Sequence, residues 1–82
     1  MEAQMRTAYA NVEKVLAQHG ATIEHVVEET IYTTDVEAAK EARKKMKDEV
    51  FGGNPVIANT LIGIDRLALP ELLVEIRCIA RV

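Results

Sequence analysis

Tryptophan is absent from this chain, phenylalanine occurs once, and cysteine once, at Cys78. A lone cysteine excludes an intramolecular disulfide, and His19 and His25 have no metal-ligand spacing with it or with each other. Neither of the usual staples of a small domain is therefore on offer, and no metal is expected. Long apolar runs are also missing. The uninterrupted ones are only a few residues, so no stretch reads as a membrane span or a signal peptide. Positive charge is not in excess: the formal net charge is -3, which gives no electrostatic reason to expect nucleic acid or an anionic membrane as partner. A glycine-rich phosphate loop is lacking too. Gly52-Gly53 follows a helical stretch, whereas phosphate cradles precede one.

What is present is a chain of 82 residues, 49% apolar, long enough for one domain. Such a domain buries only about 60–65% of the surface its unfolded chain exposes, so its core needs support. With disulfides and metals excluded, partner subunits are the remaining source, and self-association is the expectation. A single free thiol at an apolar strand position fits a reducing compartment, and the cytoplasm is the expected location.

Taken in order, Glu2 to His19 reads as an amphipathic helix. Met1, Met5, Ala8, Tyr9, Val12, Val15 and Leu16 fall on one stripe, and Gly20 stands where a left-handed cap would end it. Ala21 to His25 is a connecting turn. Val26 to Thr33, VVEETIYT, is a β-branched strand. Thr34 with Glu37 three residues later has a capping-box pattern, opening a second helix from Val36 to about Val50. Its stripe is Val36, Ala39, Ala42, Met46 and Val50. Two further strands are expected, within Val56 to Ile64 and Leu72 to Val82.

The order helix, strand, helix, strand, strand suggests a βαβ unit plus an antiparallel final strand. The fold class is then α+β, with two helices packed on one face of a mixed sheet. The opposite face is left uncovered, and an uncovered face carrying apolar residues marks an interface. On the last strand Val74, Ile76, Cys78 and Ala80 point one way, and Glu75, Arg77 and Ile79 the other.

The cluster KEARKKMK, Lys40 to Lys47, is interleaved with acids and reads as a solvated helix face. His19 and His25 read as cap and turn residues, and Cys78 as an inert thiol. Glu75 is different: a carboxylate in an apolar strand, VEI, needs a partner or an altered pKa. Pairing with Arg77 is the structural reading, and a water-positioning or acid–base role the functional one. Asn59, inside VIANTLIG, is the other polar residue in apolar surroundings.

Gln4, Asn11, GATIEHVVEETIYTTD from Gly20 to Asp35, FGGNP and the terminal ALPELLVEIRCIA together form a recognisable frame. With it the chain resembles the RidA/YjgF family of reactive-intermediate (enamine/imine) deaminases, also labelled endoribonuclease L-PSP-like. The resemblance implies a chorismate-mutase-like subunit in a homotrimer, with small-molecule clefts between subunits. It also implies hydrolysis of imines or enamines to a 2-oxo acid and ammonia, without a cofactor. The family's water-positioning glutamate falls on Glu75. Its substrate-binding segment falls on Asn59, Thr60 and Leu61, and Asn59 stands where the family has a carboxylate-clamping arginine. A neutral amide cannot supply the charged, bidentate fork that arginine offers, so altered ligand choice is implied.

Family members carry strands before the first helix, whereas this chain begins at the helix. The resemblance thus covers roughly the C-terminal two thirds of the family domain, and the 82 residues are expected to be one RidA-like domain, either a fragment or a shortened form. The leading expectation is deamination of small reactive imines or enamines. A non-catalytic ligand-binding or regulatory subunit is the alternative, and a ribonuclease is disfavoured by the acidic charge.

Overall fold

The computed structural model describes all residues, 1–82. The first helix, α1, runs Glu2–Gln18 and is closed by His19 with Gly20 beyond it at φ +69°. Gly20 N–H donates to Ala17 O and Ala21 N–H to Leu16 O, satisfying carbonyls the helix leaves open. A single 3-10 turn, Ile23–His25, leads into β1, Val26–Thr33. The second helix, α2, is Val36–Phe51, ended by Gly52 at φ +70°. Strands β2, Ala58–Gly63, and β3, Val74–Ala80, complete the unit.

The capping box expected at Thr34 is not the one that forms. Asp35 is the cap of α2, its Oδ1 accepting from Ala38 N–H at 3.1 Å. Thr34 is held by the sheet instead, its N–H donating to Leu73 O. A reciprocal box does occur on the 3-10 turn, where His25 Nδ1 accepts from Thr22 N–H at 2.9 Å. That is the turn role expected of His25.

The sheet order is β2-β1-β3, with β1 parallel to β2 and antiparallel to β3. Both helices lie on one face. There Met5 and Tyr9 of α1, Ala39, Ala42 and Met46 of α2, and Ile31 and Val74 of the sheet form the main core. Burying a side chain such as Met or Ile contributes about 1.5–3 kcal/mol, and four of the largest here are essentially inaccessible: Tyr9, Met5, Ile31 and Met46. Leu16, Ala21 and Val26 form a smaller cluster at the far end. Val15, placed on the apolar stripe of α1, is 56% exposed and lies outside the core. At Gly63 the strand runs close to α2: a Cβ there would lie 2.9 Å from Val36 Cγ2, so a side chain at 63 would require Val36 to shift. No helix is long and apolar enough to cross a membrane.

Candidate functional site

Alternation along three paired strands sorts the sheet residues onto two faces. Three cross-strand rows make up the uncovered face: Ala58, Glu28 and Ile79; Thr60, Thr30 and Arg77; Ile62, Tyr32 and Glu75. Both helices pack on the other side, so this face meets solvent, with Ile62 at 37% and Ile79 at 42% exposure. Glu75 is exposed, and its carboxylate has no hydrogen-bond or ion-pair partner. The expected Glu75–Arg77 pairing does not form, although both side chains share the face. Burial was anticipated from the apolar residues beside Glu75, but those residues, Val74 and Ile76, point to the helices. Tyr32, half-buried beside Glu75, adds a phenol to the row.

Of the four residues expected in the site, the structure brings Thr60 and Glu75 to the open face and turns Asn59 and Leu61 toward the helices. Leu61 packs against the main core. Asn59 Nδ2 donates to Glu29 Oε1 at 2.5 Å.

Glu29 is the residue that sequence reading missed. It is fully buried. Its carboxylate accepts from Tyr9 Oη at 3.0 and 3.2 Å, from Arg43 Nε at 2.7 Å and from Asn59. A buried carboxylate is tolerated when a cation and further donors satisfy it, and all are supplied here. The guanidinium also stacks, with its central carbon 4.8 Å from the Phe51 ring centroid and 5.9 Å from that of Tyr9. The available signal was parity: Glu29, Ile31 and Thr33 alternate onto one face of β1, and all are buried.

Burial, reinforced by the Glu29 charge, pushes the Tyr9 phenol well above its ordinary pKa. The same two causes push the Cys78 thiol up to about 11, with Arg43 pulling the other way. Cys78 is therefore a neutral thiol near pH 7, as expected of an inert one.

Along the free edge of β3 a groove of about 620 Å³ runs against α1, lined mainly by apolar residues, with Asn11 and Glu75 among its polar ones. Its upper end is bridged by Gln4, whose amide donates to Glu71 O at 3.1 Å and accepts from Leu73 N–H at 2.7 Å. Glu75 thus borders both the groove and the open face. No three His, Cys, Asp or Glu side chains converge as a metal site would require. Arg66 folds onto its own loop, donating to Leu67 O and Ala68 O.

The helix-sheet arrangement has counterparts among known proteins. The family described as Endoribonuclease L-PSP matches the chain over residues 1–82. The RutC family protein YjgH of Escherichia coli is 33% identical over 79 residues, covering 96% of this chain and 59% of that protein. A Rid-family protein of Yersinia pestis, YyfB, superposes with a TM-score of 0.85 at 36% identity, covering all of this chain and 62% of the other. Rv2704 of Mycobacterium tuberculosis superposes at 0.76 with 34% identity over 87% of this chain and 58% of its own. The chain thus spans about three fifths of the length of these relatives. It belongs to the RidA/YjgF (endoribonuclease L-PSP) family.

Proposed function

We propose that this chain is a RidA-type unit that binds small imines or enamines on its open sheet face and deaminates them hydrolytically, with Glu75 positioning the attacking water. The observation that carries the proposal is the state of Glu75. It is an unpartnered carboxylate on an uncovered face, in a row with Tyr32 and Ile62 and near Thr60. A carboxylate with nothing bound to it is free to accept a proton from water. Water adds to the carbon of the C=N bond while its proton passes to Glu75 and then to nitrogen. Collapse of the resulting carbinolamine expels ammonia and leaves a carbonyl, as a 2-oxo acid when the substrate is an imino acid. No cofactor takes part.

Thr60 supplies a hydroxyl to the ligand from the neighbouring row. Asn59 and Leu61 act from the opposite side, where Asn59 is bound to Glu29. No arginine then projects from β2, and the cation nearest Glu75 along its own strand face is Arg77. A substrate carboxylate held there meets a different fork in a different place, which alters ligand choice. Carbonyl- or amide-bearing imines are the class this arrangement favours. The 82 residues act as one RidA-like domain, equivalent to roughly the C-terminal two thirds of the family's. In this proposal the exposed Ile62 and Ile79 are covered by neighbouring copies in a homotrimer, which closes the cleft.

The alternative is a non-catalytic ligand-binding or regulatory subunit on the same scaffold, favoured by Asn59 standing in the arginine's place. Rates of hydrolysis for several imines, with wild type and Glu75→Ala, distinguish the two. The enzymatic proposal expects measurable turnover that Glu75→Ala removes. Equal background rates in both proteins, with ligand-dependent thermal shifts, establish the binding subunit. Molar mass in solution tests the assembly, and a stable monomer contradicts it.

A further inference from the structure

The two edges of the sheet are unlike. At one edge β2 carries Asn59 and Thr60 and ends on Gly63. At the other, β3 is VEIRCIA, with no proline, glycine or lysine and no bulge of its own, the devices that usually keep an edge from pairing. Its backbone groups are directed outward at alternate residues. Leu73 O accepts from Thr34 N–H and Arg81 N–H donates to His25 O, so the odd-numbered residues bond to β1. The N–H and C=O groups of Val74, Ile76 and Cys78 therefore point to the free edge. Beside them lies the groove of about 620 Å³ against α1, with Val12 and Val15 on its helical wall. Val15 is the exposed apolar residue left out of the core.

Edge geometry alone fits many strands, and the charges on β3 select one. Glu75 and Arg77 are both exposed, share the open face and have no ion-pair partner within the chain. A second, antiparallel copy of β3, related by a two-fold axis at Ile76, sets Glu75 opposite the partner's Arg77 and Arg77 opposite the partner's Glu75. These are the non-hydrogen-bonded positions of such a ladder, where Cα atoms approach to about 4.5 Å and opposite charges attract. Ile76 meets its own copy and Val74 meets the partner's Cys78, in the hydrogen-bonded positions that the outward-pointing groups supply. An axis at Glu75 or at Arg77 sets like charges against each other, and one at Cys78 leaves Arg77 opposite the partner's Ile79.

We propose that β3 pairs with β3 of a second copy of this chain, in the register centred on Ile76, to make one continuous sheet. The strand order becomes β2-β1-β3-β3-β1-β2. The helices of both copies lie on one face, because a two-fold axis normal to the sheet keeps the faces matched. The two α1 helices then lie side by side, and the groove is filled from the partner, which takes Val12 and Val15 out of water. The sheet edge is distinct from the open face. It joins copies in pairs, whereas the covering of Ile62 and Ile79 joins them in threes, and neither contact requires the other. Glu75 keeps acceptor sites for water, since a carboxylate has about four and a bidentate guanidinium takes two.

The test is the self-association of the 82-residue chain, read by sedimentation, with charge reversals at the two positions. The wild type is expected as pairs, or as pairs of trimers where the open face closes as well. Hydrogen exchange at the Val74, Ile76 and Cys78 amides should slow as concentration rises. Glu75→Arg and Arg77→Glu each turn both attractive contacts into repulsive ones and should weaken pairing by about tenfold or more. Mixing the two variants restores both contacts, so mixed pairs should form with an affinity near that of the wild type. The two exchanges combined in one chain should pair likewise. Both side chains are exposed, and circular dichroism verifies the fold of each variant. The readout is mass rather than turnover, so absence of deamination leaves the result unaffected. A stable monomer, a lone trimer, pairing undiminished by the single reversals, or mixing without recovery would overturn the proposal. So would a chain that stays single while taking up an unrelated peptide of alternating valine and threonine, which assigns the edge to a foreign strand.

Discussion

Glu29 and Glu75 stand on adjacent strands of one small sheet and meet opposite conditions. Glu29 faces the helices, is inaccessible to solvent and accepts hydrogen bonds from three side chains. Glu75 faces away and is bound by none. The difference lies in how completely each carboxylate is satisfied. A carboxylate with its acceptor sites filled, its charge matched by Arg43 and no access for substrate is structural. A carboxylate with all its acceptor sites open is able to engage a water or a ligand. The two faces therefore differ in what they leave free: the carboxylate on the covered face is fully satisfied, and the one on the open face is not.

Removing the cation from the covered face should have the largest effect. Arg43→Ala leaves Glu29 charged and buried without its partner and removes the contacts with two rings. The expected loss is about 3–5 kcal/mol in chemical denaturation. Glu29→Gln, which keeps the shape and drops the charge, should lose less. Equal small losses in both would mean that Glu29 is not the anchor of that face.

Next comes pH. Folding raises the Tyr9 and Cys78 pKa values, so the unfolded chain gives up those protons first. The stability contribution is complete below the unfolded values and is lost as pH rises through the folded ones. For Tyr9 the decline begins near pH 10, and each fully displaced titration costs up to about 1.4 kcal/mol per pH unit. Urea midpoints measured from pH 8.5 to 11 should fall. Tyr9→Phe should make the fall shallower and leave the part due to Cys78. An identical slope in that variant would remove Tyr9 from the account.

The smallest stability effect is expected on the open face. Glu75→Gln touches no satisfied group, so stability should stay within about ±0.5 kcal/mol. Ligand response or turnover should change in the same variant. A large loss of stability without a change in ligand response would reverse the assignment of the two faces.

Much of this was legible in the residues. Gly20 and Gly52-Gly53 ended the helices where expected, because positive φ suits glycine. On β3 the order Val, Ile, Cys, Ala at every second position fixed the face of Glu75. Its exposure was not legible, since that depends on what covers the sheet. On β2 the two alternations are nearly equivalent: Ala58, Thr60 and Ile62 against Asn59, Leu61 and Gly63. Each contains one small, one polar and one large apolar residue, so pattern alone did not decide which set faces the helices. Pairing with β1 decides it, and so turns Asn59 toward Glu29. Glu29 was hidden by Glu28 beside it, because two adjacent acids in a strand read as a polar surface. The Asp35 cap was one residue from the pattern at Thr34, within the usual imprecision of helix boundaries.

The close approach of Gly63 to Val36 constrains how this sequence can change over time. Val36 opens α2 and is partly exposed, so exchanging it for alanine, the better helix former, meets little resistance. Gaining a side chain at 63 while valine remains at 36 forces a collision and a repacking of helix against strand. The two exchanges therefore have an order. Lineages that carry a larger residue at 63 are expected to have reduced residue 36 beforehand, and the pair should vary together across descendants of this chain.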